Sequence, residues 1–149
     1  YHLRMSIFID TGVFYAHHDE DAARHETAKA FFDRVLDGDF GQPYTNDYIL
    51  DEAVTLTRRR TNDVTAATTI ADRILGNDPY PDVLSFDHVT PDIFEAAFEC
   101  FTTYDDHTLS FTDATTIAHS QLRDINSIAS FDDDFDGIHE RTDPSIVTM

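Results

Sequence analysis

Basic residues are scarce in this chain. Among 149 residues there are 10 Lys and Arg against 29 Asp and Glu, a formal net charge of −19, and Lys29 is the only lysine. Cys100 stands alone, which excludes an intramolecular disulfide. Its neighbours Ala96, Ala97, Phe98 and Phe101 mark it as a small apolar packing group rather than a nucleophile. No apolar run approaches the roughly 18 residues that a membrane span requires. The stretch Ile7 to Ile9 is far too short for the core of a secretory signal. Gly-rich phosphate loops and Walker motifs are missing. Asp10-Thr11-Gly12 lacks the second Asp of a haloacid-dehalogenase-like phosphatase, and the late lysine of a receiver domain is absent. Zinc is disfavoured as well. His17 and His18 are adjacent and cannot share one helix face, His25 is isolated, and no second cysteine can help. His119 is assigned to packing or surface. The expectation is a cytoplasmic globule.

What is present suits one packed domain. The chain is 41% hydrophobic with twelve Phe, enough for a real core. Met5 to Met149 reads as that domain, and residues 1–4 as either a native extension or an appended remnant. The acids are not gathered into one tail. Apart from the blocks Asp19-Glu20-Asp21 and Asp132-Asp133-Asp134, they spread over segments with normal apolar spacing. That pattern fits a folded protein from a halophile, where such a charge keeps the surface solvated. At about 1 M salt the Debye length falls to about 3 Å, so net charge does not exclude RNA as a partner. Phosphate binding must then lean on bound metal and a few arginines. Arg58-Arg59-Arg60 is the only basic cluster. Three consecutive residues point three ways around a helix, so favourable charge at a helix C-terminus is preferred to a phosphate site.

The apolar pattern predicts strands alternating with helices. Ser6 to Ile9 reads as a strand buried on both faces, and Thr11-Gly12 as a turn after it. One long helix is expected from His18 to Leu36, stopped by Gly38. A short strand follows over Pro43 to Thr45. Helices are expected from Asn46 or Asp47 to Arg60, and from an Asn62 cap to Leu75 before Gly76. Val83 to Phe86 reads as a third strand. Thr90-Pro91 opens a helix carrying Ile93, Phe94, Ala97, Phe98 and Phe101. Thr112 is read as the cap of a helix to Leu122, Ile125 to Ala129 as a fourth strand, and Ile146-Val147 as a last short one. The alternation implies an α/β fold, a three-layer α/β/α domain around a mainly parallel sheet.

Ligands of such sheets sit beyond the carboxyl ends of the strands. Asp10 ends the first strand, and Asp132 falls just after the fourth. Two carboxylates meeting there would repel and raise one pKa unless a hard cation such as Mg²⁺ or Mn²⁺ joined them. Glu52 lies beside the apolar stripe of Ile49 and Leu56, where a lone carboxylate is costly. Its neighbour Asp51 points about 100° away, toward solvent. Asp113 occupies the first turn of its helix, where a dipole-favoured acid is an equally good reading.

Together the segments Ile9-Asp10-Thr11-Gly12-Val13-Phe14, Leu50-Asp51-Glu52-Ala53-Val54, Ser110-Phe111-Thr112-Asp113-Ala114 and Ala129-Ser130-Phe131-Asp132-Asp133-Asp134-Phe135 closely resemble the PIN-domain family, and more narrowly the VapC-type toxin ribonucleases. The resemblance runs in order from Met5 to Met149. It implies a Mg²⁺- or Mn²⁺-dependent endoribonuclease whose acids are Asp10, Glu52, Asp113 and Asp132. Thr11 and Gly12 would shape the turn presenting Asp10, and Ser130 stands where the family often has Thr or Ser. Asp134 and Asp136 fall off the main pattern; each is either a water-bridged support for a second ion or a solvated loop acid. The bound ion would activate a water for in-line attack on phosphorus, leaving 5′-phosphate and 3′-hydroxyl ends. A homodimer and a cognate antitoxin are further implications. The competing expectation is a PIN-like module with a weak or unused site, serving RNA processing by binding alone.

Overall fold

The computed structural model describes residues 5–148. Residues 1–4, read above as an extension or remnant, lie outside the described residues.

The sheet has five strands, β1 (Ser6–Ile9), β2 (Gln42–Asn46), β3 (Ser85–Asp87), β4 (Ser127–Ala129) and β5 (Arg141–Thr142), in the order β3-β2-β1-β4-β5. All four pairings are parallel. Seven helices flank it: α1 (Thr11–His18), α2 (His25–Leu36), α3 (Asp47–Thr61), α4 (Val64–Leu75), α5 (Pro91–Thr103), α6 (Phe111–Leu122) and α7 (Pro144–Val147). Ile7, Phe8 and Ile9 point alternately to opposite faces of β1, and all three are fully buried, so helices cover both faces. Phe31 and Val35 of α2, Ile49 of α3, Ile70 and Ile74 of α4 and Ile117 of α6 complete the main core. Ile93 and Ala97 of α5 pack with Ala118 in a smaller cluster.

Several boundaries differ from expectation for identifiable reasons. Thr11-Gly12 is not a turn but the start of α1, because Asp10 is extended and the helix begins directly after it. Of the predicted helix from His18 to Leu36 only His25–Leu36 forms, as α2; His18 ends α1, and 19–24 are not helical. There the Asp19 carboxylate accepts from the Asp21 backbone N–H at 3.0 Å and from the Tyr15 hydroxyl at 2.6 Å, bonds that compete with helix continuation. His25 Nδ1 lies 2.9 Å from the Ala16 carbonyl and ties α2 back to α1. Asn62 does not cap α4. It closes α3 in the left-handed region at φ 51°, while Asp63 accepts from Thr65 N–H to start α4. Gly76 ends α4 as expected, at φ 71° and so close to Asp82 that a Cβ would lie 2.5 Å from its Cα. α6 is capped by Ser110 rather than Thr112. Ile146-Val147 is helical, because Asp143 caps Ser145 N–H and Pro144 takes the first helical position; the last strand is Arg141–Thr142 instead. No helix among the described residues is long and apolar enough to cross a membrane.

Candidate active site

The strand order places β1 at the centre, with β2 leading out on one side and β4 on the other. The carboxyl ends of β1 and β4 therefore form the switch point at which open α/β sheets bind ligands. Ile9 pairs with Ala129, so the next residue of each strand, Asp10 and Ser130, emerges side by side. The Ser130 hydroxyl donates to Asp10 Oδ2 at 2.8 Å and accepts from the Asp132 backbone N–H at 3.0 Å. One buried hydroxyl thus joins the two strand ends. The Asp132 carboxylate accepts from Asp134 N–H at 3.0 Å and opens a single 3-10 turn over Asp133–Phe135.

Two helices bring the other acids. Asp113 is the third residue of α6 and half of a capping box: its carboxylate accepts from Ser110 N–H, and its own N–H donates to Ser110 Oγ, both at 3.0 Å. Glu52 is half-buried on α3 beside the fully buried Ala53, while Asp51 is exposed. Asp10, Glu52, Asp113 and Asp132 all line one cleft of about 920 Å³, together with Thr11 and Ser130. Asp134 is not in its lining; it accepts from Thr108 and touches Asp132 through its backbone. Asp136 is engaged elsewhere, in two bonds from the Arg141 guanidinium that hold its carboxyl below the usual range.

The electrostatics are those of anions crowded out of water. Burial pushes the Asp10 carboxyl up to about 7, with the charges of Asp113 and Glu52 adding to the rise against the Ser130 bond and the Thr11 backbone N–H. Burial raises Asp113 to about 6, offset by its Ser110 bonds and reinforced by Asp132 and Glu52. Carboxylates converging in a half-buried cleft with only oxygen donors fit a hard divalent cation. They do not form a tight cage. Among the described residues, the one trio of acidic or His/Cys side chains with ligand atoms within 4.8 Å of one another is Asp132, Asp133 and Asp134. The four predicted acids line the same cleft, but no three of them meet that spacing.

Sequence reasoning missed much of the rest of the cleft lining. Tyr15, Asp19, Asp21, Arg24, Arg60 and Phe131 also line it. Tyr15 stays hidden because a turn at Thr11-Gly12 leaves the rest of α1 without an assignment. Arg60 was set aside with its neighbours, although only one of three consecutive arginines needed to face inward.

Comparison with known proteins identifies the family and the fold. A family model described as PIN domain matches residues 7–140. The chain belongs to the PIN-domain family. Within it, the chain falls with the VapC-type toxin ribonucleases. It is 33% identical over 129 residues to the 23S rRNA-specific endonuclease VapC20 of Mycobacterium tuberculosis, an alignment covering 87% of this chain and 91% of that protein. The crystal structure of that VapC20, described as a sarcin–ricin loop cleaving toxin, superposes with a TM-score of 0.75 over 90% of this chain and 97% of the other. The VapBC2 complex of Rickettsia felis, solved with a DNA fragment of its promoter, shares the fold at a TM-score of 0.69 and 10% identity, covering 93% and 98% of the two chains.

Proposed function

We propose that this ribonuclease toxin cuts the sarcin–ricin loop of 23S rRNA with the help of Mg²⁺ or Mn²⁺, in the cytoplasm of a salt-adapted cell. The observation that carries the reading is the convergence of Asp10, Glu52, Asp113 and Asp132 on one cleft at the switch point of the sheet. The substrate follows the relative that is 33% identical over most of both chains.

Asp10, Glu52, Asp113 and Asp132 would hold the ion, which when bound supplies an acidified water and screens the charge of the phosphodiester. Ser130 orients Asp10 and ties it to the Asp132 segment, so the two strand ends move as one unit. The capping box fixes the Asp113 carboxylate with one oxygen toward Ser110. Thr11 lines the cleft next to Asp10, and the Asp134 backbone N–H donates to the Asp132 carboxylate. Among the described residues the cleft is lined by carboxylates and no histidine, and the carboxylates would handle protons through bound water. As partners we propose a second copy of the chain in a homodimer and a cognate antitoxin. An arginine-bearing antitoxin segment would match this acid-lined cleft.

The test is cleavage of a sarcin–ricin loop hairpin in molar KCl with Mg²⁺ or Mn²⁺. Asp10→Asn and Asp113→Asn should each lower the rate by at least about a hundredfold, since each removes charge that the ion needs. Cleavage that survives both substitutions would overturn the assignment of these acids.

A further inference from the structure

In a chain so poor in cations, the placement of each one is informative. Most of the arginines outside the cleft have polar partners. Arg34 pairs with Asp39, Arg123 with Asp92, and Arg141 with Asp136 and Asp143, while Arg58 donates to Asn62. Two arginines line the acidic cleft, Arg24 from the segment between α1 and α2 and Arg60 from the last turn of α3. Among the described residues neither is in an ion pair, although Asp19, Asp21 and the four site acids line the same cleft. Each instead rests on an aromatic face. The Arg24 guanidinium sits 4.6 Å from the centre of the Phe131 ring, and that of Arg60 sits 4.8 Å from the centre of the Tyr15 ring.

One platform belongs to the carboxylate site and the other is held by Asp19 in the same cleft. Phe131 lies between Ser130, which bonds Asp10, and Asp132. Tyr15 is buried and donates its hydroxyl to Asp19 at 2.6 Å. A guanidinium stacked on a ring keeps its N–H donors in the plane of the stack, free to meet an anion at the edge. Such a fork matches phosphate oxygens and needs no long-range positive field, which this molecule does not have.

We propose that Arg24 and Arg60 are positioning residues that grip backbone phosphates of the RNA strand next to the one held at the carboxylates. The proposal rests on the ribonuclease reading above. It divides the cleft into an acidic wall for the metal and two aromatic-backed cations for the strand. It also answers how so negative a protein holds a polyanion: two stacked forks act locally where the net charge opposes binding.

The experiment separates binding from cutting. Binding of a fluorescein-labelled sarcin–ricin hairpin is followed by anisotropy in EDTA over a KCl series, for wild type, Arg24→Ala, Arg60→Ala, the two Lys variants, and Arg123→Ala as a control outside the cleft. Each cleft Ala variant should weaken binding roughly tenfold. Each should also flatten the slope of log K against log [KCl] by about 0.7, the loss of one phosphate contact on a single strand. The Lys variants should restore the slope but not the full affinity, because a lysine lacks the planar fork. In Mn²⁺, the Ala variants should raise KM and largely spare kcat at saturation. Slopes and KM equal to those of wild type would overturn the clamp, as would an equal effect from Arg123→Ala. Should wild type bind the hairpin without cutting it in Mn²⁺, the sarcin–ricin reading fails while the slopes still decide the clamp. If wild type does not bind RNA at all, the clamp is overturned too.

Discussion

Asp10 carries the largest electrostatic penalty among the site acids whose carboxyl shifts are resolved, and the penalty has a direction that can be tested. Its carboxyl is raised to about 7 from an ordinary value of 3.8, chiefly by burial and then by Asp113. For an acid raised in the folded state, the fold is unpenalised below the unfolded value. Stability is lost as pH rises from about 4 towards 7, and the loss is then constant. Asp10→Asn removes the charge but keeps an acceptor for Ser130. In EDTA at about pH 8 this variant should therefore be more stable than wild type, by about 1–3 kcal/mol in urea unfolding, and the gain should vanish near pH 4. A variant equally stable or less stable at pH 8 would show that Asp10 is not held as a strained anion. Not all of this was legible beforehand. Glu52 was placed by its position beside the apolar stripe. Asp113 could not be separated from a simple first-turn acid, and the structure explains why: its carboxylate both caps α6 and faces the cleft, so the two readings describe one residue.

At the scale of elements, the site depends on how α6 begins. Ser110 caps the helix and holds Asp113 in a reciprocal pair. Ser110→Ala should cost about 1 kcal/mol of stability, as for other lost N-caps. It should also weaken Mn²⁺ binding in calorimetry, because the Asp113 carboxylate loses its anchor; unchanged affinity would mean the capping box has no part in the site. The elements themselves were mostly readable, because apolar spacing and caps are local. The errors fall where side chains compete with the backbone. Asp19 closes α1 and the expected helix from His18 starts only at His25, and Asp143 with Pro144 turns an expected strand into α7. The helix opened by Thr90-Pro91 forms as expected, as α5, with its apolar residues divided between two settings. Ile93 and Ala97 are buried, but Phe94, Phe98 and Phe101 are 41–59% exposed around the Phe111 ring, since α5 packs chiefly on α6 and not on the sheet.

The whole molecule carries 29 acids against 10 bases on a single domain. Most of that charge lies outside the cleft, so acidity alone does not point there; strand-end position leads to Asp10 and Asp132, which both line it. Self-repulsion on this scale should be relieved by screening. The melting temperature should rise steadily as KCl goes from about 0.1 M to above 1 M, where the Debye length shrinks from about 10 Å to about 3 Å. A melting temperature that is flat over this range would remove the salt-adapted reading. The central claim, that the four acids of the cleft hold the metal, is tested most directly by anomalous scattering from crystals soaked in Mn²⁺. The predicted peak lies in the cleft against the carboxylates of Asp10 and Asp113. A peak confined to Asp132, Asp133 and Asp134, the trio with ligand atoms already within 4.8 Å, would contradict it.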